Sequence, residues 1–170
     1  MYSLFYRYLQ KIILKNSFYD DILKIIHNEN IKHIVEIGCA DSIILNNLDE
    51  KYFYNGFDVE DNFIQKSKLK FSNNKKYKFE TKSIHEIILD DYDEKETIIL
   101  LVGVFHHVND DYIKIFLKKS EKFKVYAIDA VRLKDQKFLT KLLMDFDRGK
   151  YVRFEDQYKR LLTGYDFILA

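Results

Sequence analysis

Apolar residues recur along this chain in two rhythms that take turns. Over residues 1–30, Tyr2, Phe5, Tyr8, Leu9, Ile12 and Ile13, then Ile22, Ile25 and Ile26, fall three or four apart. That spacing predicts one apolar helical face carried by two helices that break near Asn16–Ser17. Short β-branched or aromatic runs follow, separated by helical patterns: strands are predicted at Ile31–Ile37, Tyr52–Phe57, Tyr77–Thr81, Thr97–Val104, Lys124–Ile128 and Tyr165–Leu169. Between them, helices are expected after Asp41 or Ser42 with Ile43, Ile44, Leu45 and Leu48 inward, and from Glu60. Another is expected after Asn109–Asp111 with Tyr112, Ile113, Phe116 and Leu117 inward, and others over Gln136–Met144 and Glu155–Leu162, with a turn at Arg148–Gly149. Thr97–Val104 is almost wholly aliphatic, as a central strand buried on both faces should be. Strands alternating with helices predict an α/β domain with a mostly parallel sheet.

The chain has 170 residues, a length for one domain, read as an N-terminal helical cap (1–30) on a sheet core (31–170). Its 28 basic and 27 acidic residues leave a net charge of +1, so no global field favours nucleic acid. A single cysteine, Cys39, forms neither an internal disulfide nor a cysteine-based zinc site, which suits a reducing, cytoplasmic setting. No apolar run reaches the roughly 20 residues of a membrane span, and the N-terminus lacks a signal-peptide cleavage site.

In an open parallel sheet, ligands bind beyond the carboxyl ends of the strands. The first strand ends in Glu36-Ile37-Gly38-Cys39-Ala40-Asp41-Ser42. There Gly38 can take a positive φ, and Ala40 and Ser42 are small enough for a ligand to approach the backbone. Twenty positions after Gly38, Asp58 ends the second strand, where a carboxylate can accept both hydroxyls of a ribose. Together these features imply an adenosine-containing cofactor. A dinucleotide fingerprint needs small residues at its first, third and sixth positions, here Gly38, Ala40 and Ile43. The bulk of Ile43 disfavours a pyrophosphate, and no P-loop sequence is present.

These segments resemble the class I S-adenosylmethionine-dependent methyltransferases, from about His33 to Leu169. Val35-Glu36-Ile37-Gly38-Cys39-Ala40 is similar to that family's first motif, and Tyr54-Asn55-Gly56-Phe57-Asp58-Val59 to its second. Leu100-Leu101-Val102-Gly103-Val104-Phe105-His106-His107 resembles its fourth-strand motif, and Ile128-Asp129-Ala130 and Asp147–Arg153 look like its late segments. The resemblance implies a three-layer, doubly wound Rossmann-like fold and methyl transfer to an oxygen or nitrogen of a small-molecule acceptor. It implies S-adenosylmethionine held by Glu36, Gly38, Cys39, Ala40, Ser42 and Asp58, adenine between Val59 and Ile84, Ser83 bonding adenine, and Gly103 leaving room for the methionine part. The chain has no proline and so no Asn-Pro-Pro-Tyr motif, which argues against methylation of exocyclic base amines.

Three departures favour a rival, a non-catalytic scaffold on the same fold. Ala40 and Ser42 replace glycines, Lys82-Ser83 stands where an adenine-binding aspartate is usual, and the last strand is expected to be lacking. An edge left bare by that strand would invite pairing with another copy. His106 and His107 end the central strand, where one could act as general base. Adjacent side chains on an extended chain point opposite ways, so only one of the pair is expected to act, and a metal site with Asp110 and Asp111 is disfavoured. Cys39 reads as a filler of the turn rather than a nucleophile. The lysines at 66, 68, 70, 75, 76, 78 and 82 read as a solvated face rather than an RNA edge, and Arg148 and Arg153 as an anion clamp or ordinary ion pairs.

Overall fold

The computed structural model describes residues 17–28, 30–132 and 149–165. Helix α1 (Ser17–Asn28) precedes five strands: β1 (His33–Ile37), β2 (Phe53–Asp58), β3 (Tyr77–Thr81), β4 (Thr97–Val102) and β5 (Lys124–Ile128). Helix α2 (Asp61–Lys70) joins β2 to β3, and α3 (Asp110–Lys119) joins β4 to β5. The five strands form one parallel sheet in the order β3-β2-β1-β4-β5. Two-residue strands β6 (Val131–Arg132) and β7 (Arg153–Phe154) pair with each other, and α4 (Glu155–Leu161) follows β7. Among the described residues no helix is long and apolar enough to cross a membrane.

Alternation along each buried strand splits the core between the two faces of the sheet. Ile34, Tyr54, Ile98 and Leu100 pack with Ile22, Leu23 and Ile26 of α1 and Ile64 of α2. Val35, Ile37, Ile99 and Leu101 pack on the opposite face with Ile113, Phe116 and Leu117 of α3 and Tyr158 and Leu161 of α4. Helices on both faces of a parallel sheet make the three-layer, doubly wound α/β sandwich. β4 lies between β1 and β5, buried over Thr97–Leu101 as its aliphatic run requires.

Strand β3 and strand β5 have the expected bounds; β4 stops two residues early, at Val102. The expected helix after Ser42 is only a 3-10 turn, Ile43–Asn46. Ser42 is left-handed there, with no side-chain cap, and Asn46, Asn47 and Asp49 beyond it prefer turns to helix. Ile44, Leu45 and Leu48 reach the core from that short turn, while Ile43 stays 42% exposed. Tyr112 also faces outward, stacked on His85 at 4.8 Å. The helix over Gln136–Met144, Arg148, the final strand beyond Tyr165 and the segment before Ser17 lie outside the described residues.

Helix α3 begins as expected: the Asn109 side chain accepts a hydrogen bond from the Tyr112 N–H at 3.0 Å, satisfying one donor of the first turn. Asn109→Ala should therefore cost about 1 kcal/mol, read as a lower urea midpoint with an unchanged slope.

Candidate functional site

The strand order turns at β1: β2 and β3 lie to one side of it, β4 and β5 to the other. The crevice between the carboxyl ends of β1 and β4 is the position at which doubly wound sheets bind ligands. Two left-handed glycines border it, Gly38 after β1 (φ +72°) and Gly103 after β4 (φ +67°). A Cβ on Gly38 would lie 2.6 Å from Cγ2 of Val104, so side chains from the β4 loop close against the β1 turn.

The β1 turn keeps the backbone of a glycine-rich loop without the glycines. Ala40 (φ 43°) and Ser42 (φ 50°) are both left-handed, a conformation that costs an L-residue about 1–2 kcal/mol. Several bonds hold it there. Gly38 and Cys39 donate from their backbone nitrogens to the Phe57 carbonyl, at 2.8 and 3.0 Å, and the Ser42 N–H donates to the Cys39 carbonyl at 2.7 Å. The Ala40 N–H donates to Oδ2 of Asp58 at 2.9 Å, so the acid at the end of β2 is tied directly to the turn after β1. Oδ1 of Asp58 accepts from the Glu60 N–H at 2.9 Å. Each carboxylate oxygen retains a second lone pair, and the residue is 8% exposed. Ser42 is buried, with its hydroxyl 3.2 Å from that of Ser67 on α2.

Glu36 is fully buried on the α1 face and accepts a short hydrogen bond from the Tyr54 hydroxyl. Burial pushes its carboxyl up to about 7; the Tyr54 hydrogen bond opposes that rise and the charge of Asp58 adds to it. Cys39 fills the space beside Gly56, where an added Cβ would lie 2.9 Å from its sulfur. Burial pushes its thiol up to about 12, with Glu36 adding to the rise, and a thiol held protonated is no nucleophile.

The residues expected around adenine sit differently from one another. Val59 is 66% exposed, whereas Ile84 is buried with Phe57, Ile87 and Leu89. The Ser83 hydroxyl donates to Oε2 of Glu86 at 2.7 Å and lies 2.9 Å from Nδ1 of His85, so it already serves its own turn.

After β4 the chain forms a 3-10 turn, Phe105–His107, rather than the extended segment expected there. His106 and His107 consequently do not diverge; their ring centroids are 4.0 Å apart. His106 is buried and His107 exposed. Asp129, at the end of β5, organises this turn. Its Oδ1 lies 2.5 Å from Nδ1 of His106, and its Oδ2 accepts from the Phe105 N–H at 2.5 Å and the His106 N–H at 3.3 Å. Gly149 lies against the ring, since a Cβ there would be 2.3 Å from Cδ2 of His106. Among the described residues no group of three or more His, Cys, Asp or Glu side chains is arranged to hold a metal ion.

Arg153 is not exposed to act as an anion clamp. At 5% exposure, its guanidinium donates to Oδ1 of Asp110 through Nε (2.9 Å) and Nη2 (2.6 Å), and to the carbonyls of Phe105, Tyr151 and Val108. It thereby laces the loop after β4 to β7. Of the two roles expected for Arg153, the ion pair is the one present, with Asp110, though the guanidinium is buried rather than on the surface. Sequence reasoning missed its carbonyl contacts and missed Asp129 as the partner of His106, for which the acid at a strand end was the available signal. Within the lysine-rich stretch, Lys82 pairs with Glu80 at 2.8 Å and Lys76 donates to the carbonyls of Glu50 and Lys51.

Two outcomes follow from the β1 side of the crevice. The folded protein holds the Glu36 proton more tightly than the unfolded chain, whose carboxyl titrates near 4.5. The stabilisation is therefore complete below about pH 4.5 and is lost as pH rises through about 7. Glu36→Gln should remove that decline in urea unfolding followed across the same pH window. Ala40→Gly should raise stability by about 0.5–1 kcal/mol in a thermal melt, because relief of the left-handed strain exceeds the extra chain entropy of glycine.

No protein-family model matches this chain, and no curated protein matches it either. Its fold is nevertheless shared with solved methyltransferase structures. It superposes on the plantazolicin methyltransferase BpumL with a TM-score of 0.67 at 16% identity, over 95% of this chain and 66% of that one. The small RNA methyltransferase HEN1 gives 0.65 at 17% identity, over 86% of this chain and 20% of that one. Phosphoethanolamine N-methyltransferase 1 of Haemonchus contortus gives 0.58 at 14% identity, over 79% and 30%. The chain thus spans about two thirds of the first of these and under a third of the other two. With the strand order and the crevice described above, these likenesses identify the architecture as the class I S-adenosylmethionine-dependent methyltransferase fold.

Proposed function

We propose that this chain binds S-adenosylmethionine at the turn after β1 and transfers its methyl group to an oxygen or nitrogen of a small-molecule acceptor. The observation that carries the reading is the hydrogen bond from Ala40 to Asp58, which joins a left-handed turn to a strand-end acid at the switch point of the sheet. A ribose offers two hydroxyl donors, and the spare lone pairs of Asp58 suit them. Val59 offers an exposed apolar side chain beside that acid for the adenine ring. Among the described residues, an added Cβ at Gly103 would meet only Cε1 of His106, at 3.5 Å, which leaves room next to β4 for the methionine part. Two relatives by fold, the plantazolicin and phosphoethanolamine enzymes, were crystallised with S-adenosylhomocysteine.

When bound, the cofactor supplies a methyl group already activated on a sulfonium. The residues of this chain have three tasks: to hold the donor, to align the acceptor with the S–CH₃ bond, and to take the acceptor's proton. Asp58 and the Gly38–Ser42 turn serve the first, whereas Glu36 is buried against Tyr54 and does not reach the donor. His106 serves the last. Asp129 engages Nδ1 of His106, and its carboxylate would stabilise the imidazolium formed when the ring takes up the proton. Arg153 and Gly149 are positioning residues that keep the turn and ring in register. His107, being exposed, is the weaker candidate for the base.

A second reading, a scaffold that no longer catalyses, draws support from the strained Ala40 and Ser42 in the turn and from Ser83 bonded to Glu86. Calorimetric titration separates the two. S-adenosylmethionine should bind with micromolar affinity, and Asp58→Asn should weaken it about tenfold, the loss of one good charge-assisted hydrogen-bond pair. Circular dichroism of the variant should retain a cooperative melt, which keeps a binding defect distinct from unfolding. Absence of saturable binding by the folded wild-type chain leaves the scaffold.

A further inference from the structure

A cleft of about 410 Å³ lies between α3, α4 and the segment that leads into β7. Its size is that of a small-molecule site. Lys114 of α3, Lys150 and Arg160 of α4 converge on it from three separate segments, with Asp110 the acid in the lining. That acid is engaged, since both Nε and Nη2 of the buried Arg153 bond its Oδ1. Arg160 pairs with Asp156 at 2.9 Å on the exposed side of α4. Lys114 and Lys150 have no ion pair among the described residues. Two ammonium groups with no ion-pair partner among the described residues, lining one concavity, create a local positive potential that the near-zero net charge of the chain conceals.

The cleft is also wired to the candidate base. The Tyr151 N–H donates to the His106 carbonyl at 2.9 Å, and Gly149, next to Lys150, lies against the His106 ring. Arg153, in the cleft lining, donates to the Phe105 carbonyl at 2.7 Å. A molecule gripped at Lys150 is therefore anchored one residue from Gly149, which touches the imidazole.

We propose that this cleft binds a phosphate-type dianion carried by the methyl acceptor, with Lys114 and Lys150 as its principal ligands and Arg160 as a third. The inference rests on the methyl-transfer reading above and adds the class of acceptor to it. Lysine suits a dianion as a mobile point charge, and a phosphate offers enough oxygens to take bonds from several ammonium groups at once.

The test is a titration of the full chain with inorganic phosphate at low, constant ionic strength, followed by amide chemical shifts. Saturable shifts centred on Lys150–Arg153 are expected. The double variant Lys114→Ala/Lys150→Ala should bind phosphate about tenfold more weakly and S-adenosylmethionine as the wild type does. Lys118→Ala, exposed on the same helix outside the cleft, should change neither. Shifts scattered over surface lysines, or equal weakening by Lys118→Ala, would overturn the proposal. So would co-sedimentation with phosphatidic-acid vesicles, or tight binding of single-stranded RNA, that depends on Lys114 and Lys150. Cofactor binding without phosphate binding removes this inference alone. Phosphate binding without cofactor binding removes the methyl-transfer reading and, with it, the assignment of the anion to an acceptor.

Discussion

The hydrogen bond from the Ala40 N–H to the Asp58 carboxylate is the contact on which the rest of the crevice depends. Strands β1 and β2 are neighbours in register, His33 opposite Phe53 and Ile37 opposite Phe57, so their ends emerge side by side. A carboxylate at the end of one and a free backbone N–H just past the end of the other then meet without distorting either strand. The bond turns the β1 loop back over the sheet, and the Phe57 carbonyl holds Gly38 and Cys39 behind it. A loop fixed in this way can carry Ala40 and Ser42 in a left-handed conformation that neither residue would adopt alone. Strain of this kind persists only where the surroundings over-determine the backbone, and here hydrogen bonds from two strand ends do so.

The β4 side of the crevice is held by a second acid and a buried arginine. Asp129 accepts from two backbone N–H groups and engages the His106 ring, while Arg153 gathers three carbonyls and Asp110. A guanidinium taken out of water must have its donors satisfied, and the polar backbone of an irregular loop supplies the acceptors. The loop thereby becomes a rigid shelf between the crevice and the cationic cleft. One feature of the sheet makes both sides meet: β1 and β4 are adjacent though distant in sequence, so two independently stabilised loops face each other across one crevice.

The elements legible in the sequence were those whose patterns are local. The aliphatic run of β4, the β-branched run of β1 and the Asn109 cap on α3 each act within a few residues, and the structure has all three. The helix expected after Ser42 did not form, because its apolar residues are satisfied by a single 3-10 turn and Asn46–Asn47 favour a turn beyond it. Tyr112 turned outward because its ring stacks on His85, a partner from another segment. An extended chain would make His106 and His107 diverge, and the Asp129 carboxylate instead gathers the backbone into a tight turn.

The sequence by itself determined the class of fold and the positions of the chemistry-bearing residues, because strand and helix periods are written in side-chain spacing and strand ends follow from them. It also determined that Gly38 and Asp58 stand at the ends of the first two strands. Only the tertiary structure decided that Ala40 would behave as a glycine, that Glu36 would be buried with its carboxyl raised, and that Arg153 would be consumed internally. Each of those outcomes depends on a partner 18 to 48 residues away, such as Asp58 for Ala40, Tyr54 for Glu36 and Phe105 for Arg153. Backbone strain, burial and ion pairing are properties of the assembled environment, and no local pattern of residues encodes them.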